Sequence, residues 1–188
     1  MIPNRNIWVI LFLRRRRKMI VISLYGSGNT GKTSTLRLVI DMLINNGATI
    51  SKTDPNNLDL TKLAKEADVK CCLTNTAGKK ICITTSGDDG FQQTANKCFV
   101  HNCGSIDAWI TASRNYGSSV DSIWDPSPFV VSEVFKVHKM NCCHIFREYG
   151  IRQYDWNRIE DVQTVKGDQD YCNQYDAKRI VRFLNKKI

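Results

Sequence analysis

The 188-residue sequence is poor in proline, with 4, and shows no internal repeat or low-complexity linker, which excludes collagen-like chains. With 42% hydrophobic and 24% charged residues, it is neither globally disordered nor a coiled coil. A membrane-length apolar stretch is also missing. The run Ile7 to Leu13 holds seven residues, against the about 20 that a span needs. Its cluster of charge, Arg14 to Lys18, follows the apolar part, the reverse of a secretory signal. Residues 1–18 contain no acid and carry six basic residues. Setting those six aside takes 27 basic residues to 21 against 18 acids, so residues 19–188 carry only +3. That balance gives no strong nucleic-acid signal for the body of the chain.

Three readings of residues 1–18 are open. The segment is an interfacial anchor, a disordered or partner-bound arm, or lies ahead of a true start at Met19; the last is preferred. The paired CxxC spacing that marks a zinc site is also lacking among the eight cysteines. With no export signal, they point to a reducing cytoplasm, and Cys71, Cys72 and Cys82 read as small buried hydrophobes in strands. Cys98, His101 and Cys103 form one local cluster, and Cys142, Cys143 and His144 another. Each could supply two zinc ligands, but buried structural thiols are the preferred reading.

What is present is an alternation of strand and helix patterns. Met19 to Tyr25 is an apolar strand, and Lys32 to Asn46 carries Leu36, Val39, Ile40, Leu43 and Ile44 at helical spacing before the stop signal Asn46-Gly47. Residues 48–60 read as an exposed loop, followed by a short helical turn near Thr61–Ala67. Val69–Leu73 and Lys80–Thr85 read as a hairpin across Asn75-Thr76-Ala77-Gly78. A helix from Asp88 to about Phe99 and a strand over Ser105–Thr111 come next. Val130–Met140 shows a moderate helical pattern, Cys142–Phe146 a last strand, and Asp168–Lys187 a helix with Tyr171, Tyr175, Ile180 and Leu184 as its apolar positions. Such alternation predicts an α/β three-layer sandwich around a mainly parallel sheet with one antiparallel hairpin strand.

Chemistry enters at Gly26-Ser27-Gly28-Asn29-Thr30-Gly31-Lys32-Thr33, which fits G-x-x-x-x-G-K-[ST] between a strand and a helix. Glycines there let backbone N–H groups wrap a phosphate, and the helix N-terminus adds its dipole. On these residues the chain resembles the P-loop NTPase superfamily. The resemblance implies that residues 26–33, with Ser34 behind them, bind ATP. It gives Lys32 the β- and γ-phosphates and Thr33 a Mg²⁺. The superfamily also implies an acid at a strand end for Mg²⁺. GTPase-like members have a hairpin before a strand ending in D-x-x-G, and here Thr84 stands in the aspartate position, with Gly87 keeping the glycine. Asp88 reaches the Mg²⁺ shell from the loop, or Thr84 and Thr85 do so by hydroxyl, or Asp88 only caps the next helix. The missing N-K-x-D motif favours ATP over GTP.

Arg114, after the strand ending Thr111-Ala112-Ser113, should lie on the ligand side of an open sheet, where it stabilises γ-phosphate charge, grips a second substrate, or is a solvated loop residue. Asp54 is either a base or Mg²⁺ contact, or part of an ordinary Asp-Pro turn. Arg147, Arg152 and Arg158, interleaved with Tyr149, Tyr154 and Trp156, form no recognisable lid. The expected function is a small Mg²⁺-dependent ATPase or switch. A kinase passing the γ-phosphate to an acceptor is the runner-up, and binding without useful catalysis is the third reading.

Overall fold

A computed structural model describes residues 19–25, 31–55, 58–60, 67–114, 134–141 and 162–188. The elements are β1 (Met19–Tyr25), α1 (Lys32–Asn45), β2 (Thr49–Asp54), β3 (Lys70–Thr74), β4 (Lys80–Thr84), α2 (Gly90–Asn102), β5 (Ala108–Ser113), β6 (Val134–Asn141) and α3 (Val162–Lys187). The strands form one six-stranded sheet in the order β2-β3-β4-β5-β1-β6. β4, β5, β1 and β6 pair in parallel, while β3 runs antiparallel to both β4 and β2. The expected α/β class holds, with a mixed sheet in which β3 alone is reversed.

Alternation along each strand splits the sheet into two faces. One packs Ile22, Leu24, Leu73, Ile81, Ile83 and Ile110 against Leu36, Val39 and Ile40 of α1 and Ile180 and Leu184 of α3. The other packs Val21, Cys72, Cys82 and Trp109 against Phe99 and Val100 of α2. Helix α1 stops where its pattern says it should. Asn46 N and Gly47 N donate to Met42 O and Ile44 O, and Gly47 takes φ +89°. In the hairpin turn, Asn75 Oδ1 accepts from Ala77 N and Lys79 N at 3.0 and 2.8 Å.

Three sequence expectations are corrected. Thr49–Asp54 is not loop but an edge strand, whose residues are mostly exposed; only Thr53 is buried, so no apolar alternation announces it. Its β-branched Thr49, Ile50 and Thr53 suit a strand, and pairing with β3 supplies the partner. Val134–Asn141 is strand, not helix. It pairs along the length of β1, closing a hydrogen-bonding edge that β1 would otherwise leave open. In α3, Tyr171 and Tyr175 are exposed, and the buried stripe runs instead through Cys172, Asn173, Asp176, Ala177, Ile180, Val181 and Leu184. Two of those positions are polar, so apolar periodicity alone places the face wrongly. Residues 1–18 and the readings at Thr61–Glu66, Asp125–Pro128 and Cys142–Phe146 lie outside the described residues.

Candidate functional site

Because β1, β4 and β5 run the same way, the segments that follow them emerge at one edge of the sheet. Lys32 opens α1 after β1, Asp88 follows β4, and Arg114 follows β5. The three side chains meet there. Arg114 Nη2 donates to Asp88 Oδ2 at 2.6 Å, and Lys32 Nζ lies 4.0 Å from Asp88 Oδ1. Lys32 is 7% exposed and Asp88 is 49% exposed, so a largely buried cation faces an open carboxylate. Strand β5 stands between β1 and β4 in the sheet. It is the loop after β4, rather than direct strand pairing, that carries Asp88 across to Lys32.

That loop is held from α2. Gln93 Nε2 donates to Ala112 O at 2.6 Å and to Gly87 O at 3.3 Å, and Asn96 Nδ2 donates to Ser86 O at 2.8 Å. Gly87 packs so closely that a Cβ there would collide with the Ala112 carbonyl and the Gln93 amide. The helix cap is Asp89, whose carboxylate accepts from Gln92 N at 2.8 Å. Asp88 gives its backbone N–H to Gln92 Oε1 at 2.6 Å. Capping therefore falls to Asp89 and leaves the Asp88 carboxylate to Lys32 and Arg114. Of the strand alternative, Thr84 is engaged within the sheet, whereas Thr85 reaches Asp68. Thr84 is fully buried, donating to Thr111 Oγ1 at 2.9 Å and accepting from Trp109 Nε1 at 3.1 Å.

Thr33 stands beside an acid that the sequence did not single out. Its hydroxyl donates to Asp68 Oδ1 at 3.4 Å, and Thr85 Oγ1 donates to the same oxygen at 3.2 Å while accepting from Val69 N at 2.7 Å. Sequence reasoning missed Asp68, which stands alone before β3 in no motif. Asn173 was missed too. Thr35 Oγ1 donates to its Oδ1 at 3.1 Å, and it packs against Gly31. At φ +81° and with Asn173 in contact, position 31 has neither the conformation nor the room for a side chain. Ser34 is half-buried on the first turn of α1. Gly26, Ser27, Gly28, Asn29 and Thr30 lie outside the described residues. Asp54 sits at the far edge of the sheet, paired with Lys70 at 2.9 Å.

The cysteine clusters read from sequence regroup. Among the described residues, Cys98 and His101 join no set of converging ligand atoms. Cys103 instead meets Cys72 and Cys82, with all three Sγ atoms within 4.8 Å of one another. Hydrogen bonds with Cys103 and Cys82 push the Cys72 thiol below the ordinary range, and those of Cys82 with Cys103 and Cys72 push Cys82 up. On the opposite face, burial raises Cys71 to about 12. Cys142, Cys143 and His144 lie outside the described residues. No helix among the described residues is long and apolar enough to cross a membrane. Comparison with protein-family models, with curated proteins and with solved structures found no match to this chain.

Proposed function

We propose that this chain is a P-loop-like protein that binds ATP with Mg²⁺ at the N-terminus of α1 and hydrolyses it. The observation that carries this reading is the meeting of Lys32, Asp88 and Arg114 from three separate segments at the carboxyl ends of the parallel strands β1, β4 and β5. In open α/β sheets that edge is where ligands bind. The helix N-terminus and Lys32 suit an anion, and Arg114 adds a second, half-exposed cation for charge on the terminal phosphate.

The donor set also fits a hard divalent cation, because the Thr33 hydroxyl stands beside the Asp68 carboxylate with Asp88 as a second carboxylate at the same edge. Thr33 and one of these acids would hold Mg²⁺, which would neutralise phosphate charge. The chain's own residues do the rest. Lys32 holds phosphate, Asp88 keeps both cations on one locus before nucleotide arrives, and Gln93 and Asn96 fix the loop that presents Asp88.

The test is ATP binding by calorimetry in the presence of Mg²⁺. Lys32→Ala should weaken binding about a hundredfold, about 2.8 kcal/mol, with an unchanged circular dichroism spectrum. Unchanged affinity in a folded variant would overturn the reading. Turnover measured without any added acceptor separates hydrolysis from phosphoryl transfer to a second substrate.

A further inference from the structure

A group of three thiols lies on the α2 face of the sheet, and the nucleotide reading does not use it. Cys72 and Cys82 are directly opposite on β3 and β4. The flanking pairs fix their type. Asn75 N donates to Lys79 O, and Thr85 N donates to Val69 O. Pairs 75/79 and 69/85 are therefore hydrogen-bonded, and counting by alternation makes 72/82 a non-hydrogen-bonded pair, where side chains stand closest. Both point into the apolar layer with Val21, Phe99 and Trp109. Cys103 reaches the same point from the end of α2. Its N–H bonds to Val100 O at 3.0 Å, and Gly104, at φ +76°, bonds to His101 O and ends the helix over the hairpin. The two hairpin strands and the end of α2 thus deliver one sulfur each to a single spot.

We propose that Cys72, Cys82 and Cys103 form a three-coordinate site for a soft, thiophilic cation of the Cu⁺ class. Sulfur ligands select such ions over hard divalent ones. Metal–sulfur bonds of about 2.3 Å in a trigonal plane place sulfurs about 4 Å apart. The observed separations, all within 4.8 Å, need only small side-chain rotations. Among the described residues no fourth histidine, cysteine or carboxylate joins the group, which suits trigonal Cu⁺ better than tetrahedral Zn²⁺. Charge is matched as well. Lys80 lies two residues from Cys82 on the same face of β4, and Lys52 Nζ bonds to Asn102 O at 3.0 Å, next to Cys103. Two cations thus flank what becomes an anionic trithiolate–Cu⁺ centre. On binding, three S–Cu bonds form and the three thiol protons pass to solvent, with no change in oxidation state. The metal would tie the end of α2 to the β3–β4 hairpin.

The experiment is anaerobic titration of the full, reduced chain with Cu⁺ against a chromophoric Cu⁺ chelator, with copper-edge X-ray absorption on the product. One equivalent should bind tightly, with three sulfur neighbours. Cys103 is half-buried, so Cys103→Ser is the variant expected to fold, and it should lower affinity for that equivalent by at least about a hundredfold, more than a neighbour of a ligand is worth. Cys98→Ser and the double variant Cys142→Ser/Cys143→Ser should keep the tight equivalent. Cu⁺ should raise the melting temperature of the wild type and not that of Cys103→Ser. The proposal is overturned by no tight uptake, by two or four sulfur neighbours, by unchanged affinity in Cys103→Ser, by loss in either control, or by a Cys72–Cys82 disulfide in place of metal.

Discussion

The two faces of the sheet are made by the same strands and differ in chemistry. The face under α1 and α3 is aliphatic, with Ile22, Leu24, Leu73, Ile81, Ile83 and Ile110 packed on Leu36, Val39 and Ile40. The face under α2 interleaves apolar residues with a polar chain. Trp109 donates to Thr84, Thr84 to Thr111, and Thr111 Oγ1 lies 3.4 Å from Gln93 Oε1. Gln93 then donates to Ala112 and Gly87, next to the loop that holds Asp88. One face is built by burial without direction. The other uses directional bonds that specify where α2, and through it Asp88, must sit. The comparison can be broken from either side.

The largest effect is expected on the aliphatic face. Leu36 is fully buried between sheet and helix, and Leu36→Ala should cost about 3 kcal/mol in denaturant unfolding, from lost transfer energy and the cavity left behind. The effect should be one of global stability, with the nucleotide affinity of the folded protein largely kept, because Leu36 lies a turn along α1 from Lys32, inside the aliphatic layer.

Gln93 tests the other face. It is fully buried, and Gln93→Leu keeps comparable size while removing the amide donor to the carbonyls of Ala112 and Gly87. Stability should fall by about 2 kcal/mol. Unlike Leu36→Ala, this variant should also lower turnover, since it frees the 86–88 loop. A Gln93→Leu protein with normal turnover would show that Gln93 does not position Asp88.

The faces also differed in how much of them the sequence made legible. β1, the hairpin and β5 were readable as apolar runs, as strands buried on both faces should be, and α1 by its helical period. The edge strands were not. β2 is mostly exposed, and β6 is defined by its pairing with β1, a long-range fact that no local pattern carries. Within the candidate site, Lys32 followed from its motif, and Asp88 and Arg114 from their places after strands. Asp68 and Asn173 did not, because each reaches Thr33, Thr35 or Gly31 only through tertiary packing. The thiol group was hidden for the same reason. Cys71 and Cys72 are adjacent, and only the strand register shows that one faces the aliphatic layer while the other meets Cys82 and Cys103.

The finest comparison is between Asp88 and Asp89, neighbours of the same type with different work. Asp89 caps α2, so Asp89→Ala should cost about 1 kcal/mol. Its carboxylate bonds within its own helix turn, so turnover should change little once the protein is folded. Asp88 faces Lys32 and Arg114 from a half-exposed position, where ion pairs contribute little to stability. Asp88→Asn keeps the size and one acceptor for Arg114 and should shift stability by less than about 0.5 kcal/mol. It also removes the negative charge that gathers both cations at the carboxyl edge of the strands, where phosphate is proposed to bind. Turnover should therefore fall at least about tenfold, equivalent to about 1.4 kcal/mol of barrier, while the melting temperature hardly moves. Measuring ATP hydrolysis and thermal unfolding on both variants gives a crossed result: stability lost at 89 and turnover lost at 88. If Asp88→Asn instead loses stability and keeps turnover, the carboxylate is a structural tether for Arg114, and the acid that serves the nucleotide has to be sought at Asp68.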